Sequence, residues 1–560
     1  MTLRRATEAA LGLAMLVAVG LIFHATKGQG FAIDELPYYA HIATRDGSVV
    51  HYGSSFSPEY LLAPFNGHLQ VGGRFLYEAV FATIGAHYTA FVLINALAIC
   101  ASVGVFFVFA RRRIGDVAAL APCLLLLFFG IAREQFLWPF DLHTSVALAA
   151  GLGGILSLER EERRSDVVAC LLLSLSASMI ELGLAFIVGA ALLIAMGPDR
   201  VRRAWIVVAP LVLYAIWWVW AHQFGQAETE LSNIVQAPKT AWDSLAVVLG
   251  SLTGRNPTIA FSFATEVTTL GRVLAVLALV GLLARLAVGG LPRTIWVWLV
   301  VAASYWTLLA IGGRPPVSTR YLLVSAVLVL LIAVDCFRRP LSNRVGAILV
   351  VLALLPLPAN VGAMFGDEEV NPLRTEVPKT RAEFAMLELA RDRVDSHYFA
   401  STDPWVEDAG GSIFQAIPAG AYLASAAANG SIAYALPELR DQPEEIRAIA
   451  DATLAGALDL EVVSASAPPD GARCRTTEPR GSRPAVVPLS AGVDHLRVSG
   501  GGAPLIGLRR FATSGAGVPV ARLLAGGWAS VELPADEAAQ PWRLVTKSPV
   551  TSCAISSSAP

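Results

Sequence analysis

Apolar residues in this chain fall in long unbroken runs, not in the period-two or period-3.6 alternation of a surface facing water. A bilayer core about 30 Å thick is crossed by roughly 20 helical residues at 1.5 Å each, so runs of that size bounded by charge predict spanning helices. Eleven such runs lie near 7–25, 88–110, 116–132, 142–158, 166–180, 182–197, 204–222, 268–288, 294–312, 319–335 and 345–364. The pair 166–180 and 182–197 also reads as one long tilted helix. Two short helices instead keep Glu181, in Met179-Ile180-Glu181, at an interface. The first run follows Arg4 and Arg5, is long for a signal-peptide core, and reads as an uncleaved helix.

Beyond residue 365 the pattern changes. Residues 381–394 carry Phe384, Leu387 and Ala390 at helical spacing. Residues 443–460 predict a second helix, with Pro443 at its start, Glu444 and Glu445 in its first turn, and Ile446, Ile449, Leu454 and Leu458 on one face. After Pro468-Pro469, short alternating runs at 493–498, 505–511, 528–533 and 542–545, separated by Gly- and Pro-rich turns, predict a β-sandwich or jelly roll. The predicted fold class is therefore a polytopic α-helical membrane protein of about eleven transmembrane helices with a C-terminal extracytoplasmic α+β region. Its divisions fall at 1–365, a mixed α/β linker region 366–468, and a β-sandwich 469–560.

Composition agrees: 55% of the 560 residues are hydrophobic and 15% charged, against about 25% charged in a soluble protein, and mean hydropathy is +0.58. Residues 1–365 hold 25 Lys+Arg and 20 Asp+Glu, a net +5, and 366–560 hold 17 and 24, a net −7; together they give the overall −2. This balance excludes a basic nucleic-acid binder and leaves no polybasic tail for lipid head groups. Arginines cluster in alternate loops: Arg4 and Arg5, Arg111 to Arg113, Arg160 with Arg163 and Arg164, Arg200 with Arg202 and Arg203, Arg285 and Arg293, and Arg338, Arg339 and Arg344. Positive-inside bias then predicts a multi-pass plasma-membrane protein with a cytoplasmic N-terminus and residues 366–560 outside. Cys100, Cys123, Cys170 and Cys336 fall in or beside spans, whereas Cys474 and Cys553 are the two in the outer region and are expected to pair. Closing that loop of 79 residues is worth about 4–5 kcal/mol in the chain-entropy model.

Chemistry concentrates in the polar loops. The first outer loop opens Phe31-Ala32-Ile33-Asp34-Glu35-Leu36-Pro37-Tyr38-Tyr39-Ala40-His41 and carries Phe65-Asn66-Gly67-His68-Leu69 near its end. Two consecutive carboxylates at a bilayer boundary are costly without a cation, proton or substrate group as partner. The second outer loop contributes Arg133, Glu134, Asp141 and His143, and Gly312 to Tyr321 supplies Arg314 and Arg320, whose planar forks match phosphate oxygens. For each of these the plainer reading is an interface residue facing water or snorkelling to head groups.

A cytoplasmic N-terminus, many spans, a long first outer loop opening with an acidic pair, and a soluble outer C-terminal domain together resemble the GT-C superfamily of integral-membrane glycosyltransferases. Within it the chain looks most like uncharacterised bacterial GT-C-like or arabinosyltransferase-like proteins. The resemblance implies a polyprenyl-phosphate sugar donor, a cell-envelope glycan or lipid acceptor, and an acidic residue of the first outer loop as catalytic base. Carried over, that residue is Asp34, with Glu35 positioning acceptor or water and Glu134 or Asp141 as the second acid. Arg314 and Arg320 would meet the departing phosphate, and His68 a hydroxyl or proton. No cofactor is called for, with a divalent metal left open; the sequence shows no CxxC or His/Cys zinc spacing, and no P-loop, Rossmann or serine-nucleophile signature. A lipid or glycan transporter or flippase, and a noncatalytic glycan-binding anchor, are the alternatives.

Overall fold

The structure is a computed structural model describing residues 3–45, 48–52, 56–225, 230–257, 264–337, 339–366, 372–400, 417–468, 472–499, 505–522, 527–535, 538 and 540–554. Arg338 lies outside the described residues. The chain divides into two compact units, one of residues 1–29 and 42–374, the other of residues 30–41 and 375–560. The first thus extends past the expected boundary at 365, and the second takes in a piece of the first loop, including Asp34 and Glu35.

Each of the eleven apolar runs is helical in the first unit. Among the described residues, eight segments are long and apolar enough to cross a membrane: Leu3–Ala25, Tyr88–Ile114, Asp116–Leu137, Pro139–Leu158, Arg200–Phe224, Thr269–Gly289, Arg293–Ile311 and Asn343–Met364. The remaining three, Arg163–Met179, Leu182–Ala195 and Leu322–Asp335, have 17, 14 and 14 residues. At 1.5 Å per residue the two shortest reach only about 21 Å, less than the hydrocarbon thickness. Residues 166–197 form two helices, because Ile180 takes an extended backbone (φ −170°, ψ 164°) between them.

One end of this bundle is tied by arginine. Arg111 meets Glu8 and Asp116, each at 2.9 Å; Arg113 meets Glu159 at 2.9 Å and also pairs with Asp335. Arg203 meets Asp166 at 2.6 Å and donates to the Leu158 carbonyl, and Arg293 reaches Glu161 at 3.3 Å. The start of the first helix and the ends of Tyr88–Ile114, Pro139–Leu158 and Leu322–Asp335 therefore share one face, in the up-and-down order that the arginine clusters predict. A further helix, Ala237–Leu252, follows a segment whose Glu230 N donates to Ile311 O at 3.1 Å. Just past its end, Gly254 lies against Pro356 and Asn360.

In the second unit, the short helix Glu35–Tyr39 packs with Pro372–Leu389 and Ala419–Asn429. Tyr422 stacks on Phe384 (ring centroids 4.0 Å apart, 12° between planes), and Tyr39 donates to the Gly430 carbonyl at 2.7 Å. The sandwich pairs a four-stranded sheet, in the order Ala485–Pro488, Arg543–Thr546, Leu505–Arg509, Val518–Arg522, with a five-stranded one. The latter runs Val462–Ser464, Trp528–Leu533, Gly492–Val498, Val550–Ala554, Arg473–Thr477, so its first strand precedes the expected start at 469. Alternate residues Leu496, Val498, Ala529, Val531 and Leu533 are buried, as period-two patterning requires. Cys474 and Cys553 face each other on neighbouring strands and are joined by a disulfide.

The helix Glu444–Ala457 joins the sandwich through two carboxylates on the turn after Arg509. Asp451 accepts from the amides of Phe511 (2.7 Å) and Ala512 (3.0 Å), and Glu444 accepts from Thr513 N and Oγ1 and from Ser514 Oγ at 2.8–2.9 Å. Burial opposes the charge in both cases. It prevails at Asp451, pushed up to about 6, whereas at Glu444 the hydrogen bonds from Ser514 and Thr513 hold the carboxyl down at about 2.

Candidate active site

At the end of the first unit opposite the arginine ties, the segment 130–141 folds into short turns. The break in helix between Asp116–Leu127 and Leu142–Leu158 lets its polar side chains point inward. A buried network fixes it: Asn95 donates to the Gln135 carbonyl (2.9 Å), Gln135 to the Asp141 carbonyl (3.0 Å) and Ser145 (2.8 Å), and Ser145 to Asn95 (2.7 Å). Sequence reading overlooked these three residues, since Asn, Gln and Ser within apolar runs carry no spacing signal.

The network presents Glu134, whose side chain is 4% exposed, to the loop 312–321. Oε1 accepts from Arg320 Nε at 2.9 Å, and Oε2 accepts from Arg320 N (3.1 Å), Ser318 Oγ and Thr319 Oγ1 (both 3.3 Å). Asp141 lies 3.4 Å from the same Arg320 Nε, and the guanidinium covers the Trp138 ring at 4.8 Å. Glu134, Asp141 and Arg320, named separately from sequence, thus form one cluster. Glu134 therefore holds Arg320 at both its side chain and its backbone.

His68 and Arg314 form a second cluster with Glu181. His68 Nδ1 lies 2.8 Å from Glu181 Oε2, and Arg314 Nη2 lies 3.4 Å from His68 Nε2. Glu181, which the two-helix reading keeps at an interface, meets these loop residues. His143 is buried nearby in sequence to Phe140, whose carbonyl accepts from its Nδ1. It lies against Gly73, where a Cβ would come within 1.9 Å of the imidazole. Arg74, fully buried, donates to the Tyr60 carbonyl with its guanidinium over the Tyr60 ring.

Asp34 and Glu35 belong to the other unit. Asp34 precedes the helix Glu35–Tyr39, is partly exposed, and makes no capping bond to it. Ile33 before it holds φ +52°, a left-handed conformation that a β-branched residue adopts at a cost. Glu35 is fully buried and accepts from Ala32 N at 3.3 Å. Among the described residues no group of three or more His, Cys, Asp or Glu side chains gathers where a metal ion could be held.

No family model and no curated protein sequence matches the chain. Among solved structures it is similar to ArnT from Cupriavidus metallidurans bound to undecaprenyl phosphate, at 15% identity and a TM-score of 0.33 over 68% of this chain and 80% of that one. The apo state of the same protein gives 17% identity and 0.34 over 69% and 81%. The Archaeoglobus fulgidus oligosaccharyltransferase in its apo form gives 13% and 0.39 over 82% and 69%. At these distances the likeness assigns no residue a role; roles come from the chain's own geometry.

Proposed function

We propose that this chain is a GT-C-type membrane glycosyltransferase that moves a sugar from a polyprenyl-phosphate donor to a cell-envelope acceptor with inversion. The observation that carries this reading is the pair of arginines on one loop at one end of a helical membrane bundle. Arg320 is gripped by buried Glu134 and Asp141, and Arg314 is set against His68. Guanidinium forks at the membrane boundary suit the phosphate of a lipid carrier, and their charge offsets that of the phosphate as the sugar–oxygen bond breaks. Arg320 is already shared by two carboxylates, which leaves Arg314 as the better match for the phosphate.

Asp34 is the proposed base, taking the acceptor hydroxyl proton as the anomeric carbon is attacked; the strained Ile33 beside it supports a functional placement. Positive-inside bias supports an extracytoplasmic site, and the disulfide Cys474–Cys553 supports an oxidising compartment for the sandwich. The test is donor dependence in the reconstituted full chain. A polyprenyl-phosphate sugar should be consumed and a nucleotide sugar should not, and Arg314→Ala should weaken use of the lipid donor by tenfold or more, with Arg314→Lys recovering part. Consumption of nucleotide sugars alone, or unchanged donor use by Arg314→Ala, would reject it.

A further inference from the structure

His68 stands at the end of a two-residue turn in which Asn66 and Gly67 both have positive φ (50° and 76°), with Phe65 N donating to His68 O at 3.1 Å and His68 N to Phe65 O at 2.9 Å. Asn-Gly is the pair such a turn favours, so local sequence fixes where the imidazole is held. A guanidinium only donates; the Nε2 that faces Arg314 at 3.4 Å is therefore the lone-pair nitrogen, and Nδ1 carries the hydrogen directed at Glu181, 2.8 Å away. Both neighbours select the same neutral tautomer.

Glu181 is diverted to this task. It occupies the N-cap position of Leu182–Ala195, where an acid ordinarily accepts from the first-turn amides, yet its side chain makes no capping bond. The extended Ile180 that separates the two helices turns it toward His68 instead. The His68 and Glu181 side chains are 23% and 18% exposed, screened from water but reachable. The imidazole is faced by Glu181 and Arg314, with Tyr214 behind Glu181 close enough to feel its charge.

A phosphate oxygen arriving at Arg314 would meet the lone pair of Nε2, and two acceptors repel. Protonating Nε2 converts that repulsion into a charge-assisted bond, and Glu181 on Nδ1 stabilises the imidazolium. We propose that Glu181 poises His68 to take up one proton from solvent when a phosphate monoester or diester binds at Arg314, so that an imidazolium and a guanidinium hold the phosphate together. The inference rests on the donor reading above. His68 is then a binding residue and Glu181 a positioning residue that acts through it.

Calorimetry on the full-length chain in nanodiscs tests this, run in two buffers of different protonation enthalpy so that protons taken up are counted. The probes are decaprenyl phosphate, a decaprenyl methyl phosphodiester whose single charge is constant across neutral pH, and inorganic phosphate. Wild type should take up close to one proton per phosphodiester bound at pH 7.5, and its affinity should fall by up to about tenfold per pH unit above neutrality. Glu181→Gln should reduce the uptake and move the fall to lower pH, and His68→Gln should bind with none. Proton uptake with the lipids but no binding of inorganic phosphate marks a lipid headgroup site; the same uptake with all three marks a site for phosphate itself, and either pattern supports the proposal. Phosphodiester binding without uptake in wild type, or uptake that persists in His68→Gln, overturns it and leaves the donor reading standing. Failure of wild type to bind any of the three probes overturns both.

Discussion

Glu134→Gln is the perturbation that most sharply separates a working ion-pair cluster from residues that merely meet at an interface. The substitution keeps the shape of the side chain but replaces one oxygen by an NH2 group, and the charge is lost. Ser318 and Thr319 can rotate their hydroxyls to accept from that group, but Arg320 N–H cannot; at least one donor then faces another donor in a buried place. Arg320 keeps Asp141 at 3.4 Å and a side-chain exposure of 24%. Removing one partner of a fully buried pair costs about 3–5 kcal/mol, and the remaining partner and partial solvation bring the expectation here down to about 2–3 kcal/mol. A double-mutant cycle of Glu134→Gln and Arg320→Gln, followed by reversible unfolding of the full chain in mixed micelles, should return a coupling near 2 kcal/mol. A coupling below about 0.5 kcal/mol would refute the cluster as described.

Three further outcomes follow from the geometry. Gly73→Ala would drive a methyl into His143 at the 1.9 Å contact and should destabilise the first unit by about 1–3 kcal/mol, read by the same unfolding assay, whereas Gly73→Ala made together with His143→Ala should recover most of the loss. In the second unit the raised carboxyl of Asp451 binds its proton more tightly folded than unfolded, so its contribution to stability should rise by about 2 kcal/mol as pH falls from 7 toward 4, while the depressed Glu444 keeps its contribution above its ordinary range and loses it as pH falls toward 2. Melting of the full chain should therefore show maximal stability of this unit near pH 4, and Asp451→Asn should flatten the slope between pH 4 and 6. Reduction of Cys474–Cys553 should lower the melting temperature of the sandwich, with no change expected for a Cys474→Ser/Cys553→Ser variant treated with the same reductant.

Much of the helical body is legible in the sequence because the bilayer imposes a simple rule: runs of apolar residues of one length, with arginines at alternate ends. The break at Ile180 falls between two of the expected runs, whereas hydropathy does not reveal how short the helices Leu182–Ala195 and Leu322–Asp335 are. The helix Ala237–Leu252 was missed altogether, since it is too short and too polar for a spanning run. Residue types likewise singled out Glu134, Asp141, Arg314 and Arg320, but nothing local indicates that Arg320 is shared by two acids or that Glu181 gives up its capping position for His68. The assignment of 30–41 to the second unit is tertiary, carried by Tyr39 and Tyr422, and no periodicity foretells it. In the sandwich the strands at 492–498, 505–509 and 528–533 were readable from alternation, while Val462–Ser464 was hidden by its brevity.

The central claim is tested most directly by following the release of polyprenyl phosphate from a polyprenyl-phosphate sugar by the reconstituted full chain, wild type beside Asp34→Asn, with an envelope extract as acceptor source. The account predicts acceptor-dependent release by wild type and a loss of about 10²–10⁴ in rate for a normally folded Asp34→Asn, because the substitution keeps shape and removes the base. Release by Asp34→Asn at the wild-type rate would contradict it.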